Sequence, residues 1–150
     1  MPTMILRTLA AGAVALIASA SFAAPASAST PASVTASANP ETWSWGPIYS
    51  ADRAGKAKGK VVLDRPGFVV NGSLYDFPGR KGCSWLTFRW VKESGGKGHK
   101  TYRNCSGTKP LTFSLKTGYM LSIEGKVCRG TAKKATGRCS EWDGVWSQGG

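Results

Sequence analysis

Apolar and polar side chains alternate at every second position through much of the chain, the pattern of extended strands with one buried face. Leu86, Phe88 and Trp90 are separated by Thr87, Arg89 and Val91; Leu111, Phe113 and Leu115 by Thr112 and Ser114; Tyr119, Leu121 and Ile123 by Met120 and Ser122. Each set predicts one row of core-facing residues. Further β-rich runs fall at Lys60 to Asp64, Phe68 to Tyr75, His99 to Cys105 and Gly137 to Trp146, with Gly, Pro, Asp and Asn at the turns between them. No stretch of these runs keeps helical spacing. The expected fold class is all-β: a small antiparallel β-sandwich of two sheets, or a small barrel, as 19 Gly and 8 Pro would suit.

The first residues follow a different rule. Met1 to Thr8 carries one charge, Arg7, before an uncharged run from Leu9 to Ala20 and small residues ending in Ala26-Ser27-Ala28. This arrangement predicts a signal peptide over 1–28, cut after Ala28. A second A-x-A at Ala36-Ser37-Ala38 leaves an alternative cleavage point. The apolar run falls short of the roughly twenty residues that span a bilayer, so no transmembrane segment is expected after cleavage. Residues 29–42 are Ser, Thr, Ala, Pro and Asn with almost no large side chain, and ordering them would bury too little surface to offset the entropy lost. They are read as a flexible lead. The expected domain is 43–150, and the expected location is outside the cell.

Cysteine usage fits that location. Cys83, Cys105, Cys128 and Cys139 all lie in the expected domain, and an even number in a small exported domain predicts two disulfides. Three pairings are formally possible. Cys83 with Cys105 and Cys128 with Cys139 are favoured, because each would join successive strands of a hairpin.

Charge narrows the partners without affecting the fold. The chain has 20 Lys and Arg against 8 Asp and Glu, a net +12. Such an excess attracts anionic polymers and acidic surfaces. The cations are scattered along the chain, as a solvated surface would also have them. Nucleic acid is not the expected partner, because only Lys100-Thr101-Tyr102-Arg103 sets basic residues beside a ring in the manner of a base-stacking surface.

Catalytic chemistry finds few candidates. The one histidine, His99, sits in Gly-Gly-Lys-Gly-His-Lys, read as a solvated loop without a positioned nucleophile. Asp64, Asp76 and Asp143 each precede or flank a turn, where a turn-forming role explains them. Glu124 lies within a strand and is expected to meet a cation across the sheet, Arg103 or Arg138. No C-x-x-C spacing indicates zinc or redox cycling, and no phosphate loop indicates a nucleotide. No enzyme, metal or cofactor is expected.

Binding is the remaining expectation. Among the six tryptophans, Trp90 shares a face with Leu86 and Phe88 and is assigned to the core. Trp85 points the other way with Thr87 and Arg89, toward solvent, a partner or a covering loop. Trp43 and Trp45 share one face near the domain's start. Exposed rings at Trp85, Trp43 and Trp45, with Arg89, could anchor an interface; the plainer account is that the rings fill a small core. The segment between Cys128 and Cys139 presents Lys133, Lys134 and Arg138 on a hairpin held by a crosslink. The expected partner is a protein or an anionic cell-envelope polymer. Alternatives are a serine-protease inhibitor presenting Lys133 or Lys134, and a basic antimicrobial protein acting on anionic envelopes.

The leader, Gly46-Pro47-Ile48-Tyr49-Ser50-Ala51-Asp52, Cys83-Ser84-Trp85 and Cys139-Ser140-Glu141-Trp142 together carry a resemblance. The chain resembles small secreted proteins of filamentous actinobacteria, some of which serve as adaptors in large antibacterial toxin particles. The resemblance implies a secreted adaptor, and it transfers no individual binding residue.

Overall fold

Nine strands account for the alternation, in a computed structural model that describes residues 40–149. The expected leader 1–28 and nearly all of the expected lead 29–42 lie outside the described residues. The strands are β1 (Thr42–Tyr49), β2 (Gly55–Leu63), β3 (Phe68–Asp76), β4 (Cys83–Lys92), β5 (Lys97–Asn104), β6 (Leu111–Gly118), β7 (Met120–Gly130), β8 (Ala135–Gly137) and β9 (Asp143–Ser147). Among the described residues there is no helix.

The strands form two antiparallel sheets, one in the order β1-β2-β3-β6 and the other β5-β4-β7, with β8 and β9 sharing the free side of β7. Alternation places Val61, Val70, Leu74 and Phe113 of the first sheet against Leu86, Phe88, Ile123 and Val127 of the second, all buried. Trp45 bridges the layers, its ring edge-on to Phe88 at 5.5 Å between centroids. The fold is therefore the all-β, two-sheet arrangement that the alternation predicts. Its disulfides join Cys83 to Cys105 and Cys128 to Cys139. Trp90 packs against the core, partly buried.

Three local expectations fail for identifiable reasons. Tyr119, Leu121 and Ile123 do not share an inner face: Ile123 and Met120 are buried, while Tyr119 and Leu121 are 44% and 41% exposed. Lys92 pairs with Met120 and Val91 with Ser122, so Leu121 is an unpaired extra residue. Such a bulge reverses the inside–outside phase of everything before it. The run from Gly137 to Trp146 is not one strand. Ser140 interrupts it by donating its N–H to the Val127 carbonyl and accepting the Val127 N–H on its hydroxyl, bonds that hold Cys139 beside β7 while the ladder stops. His99 lies within β5, opposite Arg89, and the turn is Glu93 to Gly96 instead.

Gly46 marks a further irregularity, where β1 shifts register against β2 between Trp45 and Ile48. Its φ of 75° belongs to the left-handed region, and a Cβ there would stand 2.7 Å from the Ala57 carbonyl oxygen. Glycine alone meets both conditions.

Candidate functional site

The side chains with the least expected environment gather at the end of the sandwich where β3 and β7 finish. Ile123, Gly125 and Val127 point inward along β7, and the same parity carries Arg129 inward, 5% exposed. An isolated guanidinium there would be costly, so it must find carboxylates. It ion-pairs with Asp76, the buried last residue of β3, and so ties one sheet to the other. Arg129 Nη1 also donates to the Ser84 hydroxyl at 2.6 Å, Nη2 to the Lys81 carbonyl at 3.3 Å, and Nε lies 3.8 Å from Asp52 Oδ2. Ser84 in turn donates to Asp76 Oδ1 at 2.8 Å. Asp76 is thus a buried ion-pair partner and not the turn former that its Phe-Pro-Gly neighbours predict.

Asp52 connects this network to the surface. It accepts from the Ser50 hydroxyl at 2.7 Å, from the Ala54 N–H at 3.2 Å and from Arg138 Nη1 at 3.3 Å. Burial pushes its carboxyl up, but the Ser50 hydroxyl, the Ala54 N–H, Arg138 and Arg129 together outweigh burial and hold it below the ordinary value. Arg138 has a left-handed φ of 50°, and its carbonyl accepts the Ala51 N–H at 3.0 Å. A non-glycine residue in that region is strained, and here backbone and side chain are both bonded to the loop that follows β1.

The hairpin between β7 and β8 is fixed to the body at several points. The Thr131 N–H donates to the Lys134 carbonyl at 2.9 Å, and the Thr131 hydroxyl accepts the N–H groups of Lys133 and Lys134, each at 3.2 Å. Gly130 allows the close return: a Cβ there would lie 2.2 Å from the Lys134 carbonyl oxygen. From the outer face of β4, Trp85 Nε1 donates to the Thr131 carbonyl at 3.1 Å. The Arg103 guanidinium lies over the Trp85 ring and donates to the Ala132 carbonyl. Lys133 and Lys134 are therefore exposed on a turn whose backbone has little freedom left.

A cleft of about 600 Å³ opens between this hairpin and the segment after β3, lined by Arg80, Lys81, Arg129, Thr131, Thr136 and Arg138 among others. Arg80, Lys81 and Arg138 are exposed, whereas the nearby carboxylates, Asp52 and Asp76, are already bonded to arginines. The mouth of the cleft is positive, and Lys133 and Lys134 extend that field. Such a surface can hold an anion by charge-assisted hydrogen bonds from guanidinium, ammonium and hydroxyl donors.

The residues expected at the site separate into groups. Lys133, Lys134, Arg138 and Trp85 come together at this end, Trp85 as a tether beneath the hairpin. Arg89 lies farther along the same outer face; its Nε bonds Glu124 at 2.6 Å and its guanidinium lies 4.1 Å from the centre of the Trp142 ring. Glu124 thus pairs with Arg89, its neighbour across the β4–β7 ladder, and not with Arg103 or Arg138. Trp43 packs against Phe68 and Trp146 toward the opposite end. Trp45 is corrected outright: at 4% exposed it belongs to the core and offers no ring to a partner, because the second sheet stacks on the side of β1 that carries it, with Phe88 edge-on to its ring.

Arg80, Lys81 and Arg103 join the site without having been expected there, and Arg129, which lies in the expected segment between Cys128 and Cys139, is buried beneath it rather than displayed on it. Strand parity could have found Arg129, since it lies an even number of residues from Ile123 and Val127. Nothing local marks Arg80 and Lys81, which reach the cleft through the Cys83 crosslink and the end of β3. Among the described residues no group of three or more His, Cys, Asp or Glu side chains comes together as a metal site. Compared with known proteins, the chain matches no family model, no curated protein and no solved structure.

Proposed function

We propose that this chain is an extracellular, non-catalytic binding module, a protein-partner adaptor or adhesion protein, whose basic end grips an acidic surface. The observation that carries the reading is the preorganised hairpin. Lys133 and Lys134 stand on a turn closed by its own hydrogen bonds and tied down by Trp85, Arg103 and the Cys128–Cys139 crosslink, beside a cleft rimmed by Arg80, Lys81 and Arg138. Ordering paid for during folding need not be repeated on binding, so contacts made by such a surface are worth more.

The geometry offers less to the alternatives. A protease cleft takes up an extended segment, as in strand addition, whereas Lys133 and Lys134 sit inside a tight turn. Asp52, held ionised by its donors, is poorly suited to donate a proton as a general acid. The two disulfides and the resemblance to secreted adaptors support a location outside the cell.

Affinity capture from culture supernatant tests the reading. The protein should retain a specific acidic partner at moderate salt, and a variant carrying Arg80→Ser, Lys81→Ser, Lys133→Ser and Lys134→Ser should lose it while keeping its unfolding temperature. Equal capture by both proteins would refute the assignment.

A further inference from the structure

The outer face of the four-stranded sheet differs from the basic end in its regularity. Lys56, Lys58 and Lys60 alternate along β2 with the inward-facing Ala57, Gly59 and Val61, so they stand on one side at intervals of about 6.6–6.8 Å. The strands beside them supply small polar groups in register. Lys58 pairs with Ser73, which pairs with Thr112; Lys60 lies between Ser44 and Asn71, and Asn71 pairs with Ser114. Lys116 on β6 adds a further exposed cation.

No described strand residue places a carboxylate on this face. Glu41 and Asp64 lie beyond the strand ends, and Asp76 is buried with Arg129. Lys58, Lys60 and Lys116 take part in none of the ion pairs among the described residues. A groove of about 410 Å³ lies at the Lys58 and Lys60 positions of this ladder, with Ser44 of β1 and Ser73 of β3 also among its lining residues.

We propose that this face binds a linear polyol phosphodiester, laid along β2 in the groove with successive phosphates at Lys58 and Lys60. The argument is one of commensurate repeats. Two residues of extended backbone contain six bonds and advance about 6.6–7.2 Å. A three-carbon polyol phosphate also has six bonds from one phosphorus to the next, so its extended chain advances by a similar distance. Lys58 and Lys60 then each meet one phosphate, while Ser44, Asn71 and Ser73 can exchange hydrogen bonds with the polyol hydroxyls.

Single-stranded nucleic acid has the same six-bond repeat. It needs rings on which successive bases can stack; the rings on this face, Tyr49 and Tyr75, both sit beside Lys56, under the Arg53 guanidinium and the Lys56 ammonium, and none flanks Lys58 or Lys60. The polyol polymer is therefore favoured. The ladder lies on the other sheet from the Lys133–Lys134 hairpin, and this binding does not depend on the basic end.

Fluorescence anisotropy with glycerol phosphate oligomers of increasing length, beside thymidine oligonucleotides with the same number of phosphates, provides the test. Affinity for the glycerol phosphate series should rise with length until the ladder is filled. Lys58→Ser with Lys60→Ser should weaken it on the order of tenfold or more and lower the salt slope by about two. Adding Leu121→Lys and Ser147→Lys to that variant restores the net charge on the other sheet, and affinity should stay low. Lys92→Ser with Lys97→Ser, two exposed lysines of the other sheet, should leave it unchanged. Recovery by the charge-restored variant, loss through the Lys92 and Lys97 variant, equal binding of thymidine oligomers, or no binding at all would each overturn the proposal.

Discussion

At the end of the sandwich where β3 finishes, Asp76, Ser84 and Arg129 are buried together, Ser84 following the crosslinked Cys83 and Arg129 the crosslinked Cys128; at the end where β3 begins, the Phe68 ring lies 4.4 Å from that of Trp146, with Trp43 alongside. Rings close the second end by area and shape, a cohesion with little directional demand. The first is closed by a directional network that fixes donors at stated positions. A buried charge pair is a weak source of net stability, since removing the ions from water offsets most of their attraction. What it does here is bond Arg129, which lines the cleft, to Asp76 of the other sheet and to the Lys81 carbonyl on the cleft's far side. The contrast separates an end that holds the sheets together from an end that also presents a surface.

The largest expected effect comes from breaking the network on one side. Asp76→Ala leaves Arg129 buried without its main partner and should cost about 3–5 kcal/mol in urea unfolding. Replacing both ions, Asp76→Leu with Arg129→Met, should recover most of that loss while still weakening partner capture. If the double replacement binds normally, the network has no part in presenting the surface.

Removing the second crosslink, Cys128→Ser with Cys139→Ser, frees a loop spanning a sequence separation of 11. Loss of the loop-closure constraint should cost about 2–3 kcal/mol. Hydrogen exchange should quicken from Thr131 to Arg138 more than around Trp43 and Trp146. Equal quickening at both ends would remove the distinction between them.

Asp52→Asn should have the smallest effect, about 1 kcal/mol at neutral pH, because it removes charge-assisted bonds that are partly reached by solvent. Since the folded carboxyl is held below its ordinary value of 3.8, its contribution is complete above that value. The contribution is lost as pH falls through the lowered folded value. The stability gap between the two proteins should therefore close in acid. A gap that persisted or widened there would contradict the assigned donors.

The sheet architecture was legible because alternation is a local signal: Leu86, Phe88, Phe113 and Leu115 fall on the inner face where their spacing places them. The same rule failed at Tyr119 and Leu121, since a bulge is set by the pairing of β7 with β4 and leaves no mark in the run itself. Disulfide pairing was readable from hairpin order. The basic end was legible in part, through Lys133, Lys134 and Arg138 between two cysteines. Arg129 with Asp76, 53 positions apart, was not, because their meeting depends on how the sheets stack. Trp45 was misplaced for a related reason: its neighbour Ser44 is exposed, and only the stacking shows which side of β1 is the core.

Backbone amide NMR of the protein titrated with a glutamate-rich peptide tests the central claim most directly. Shift changes should concentrate at Arg80, Lys81 and the segment from Gly130 to Arg138, and saturate together. Changes spread evenly over all exposed lysines, or gathered near Trp43 and Trp146, would contradict it.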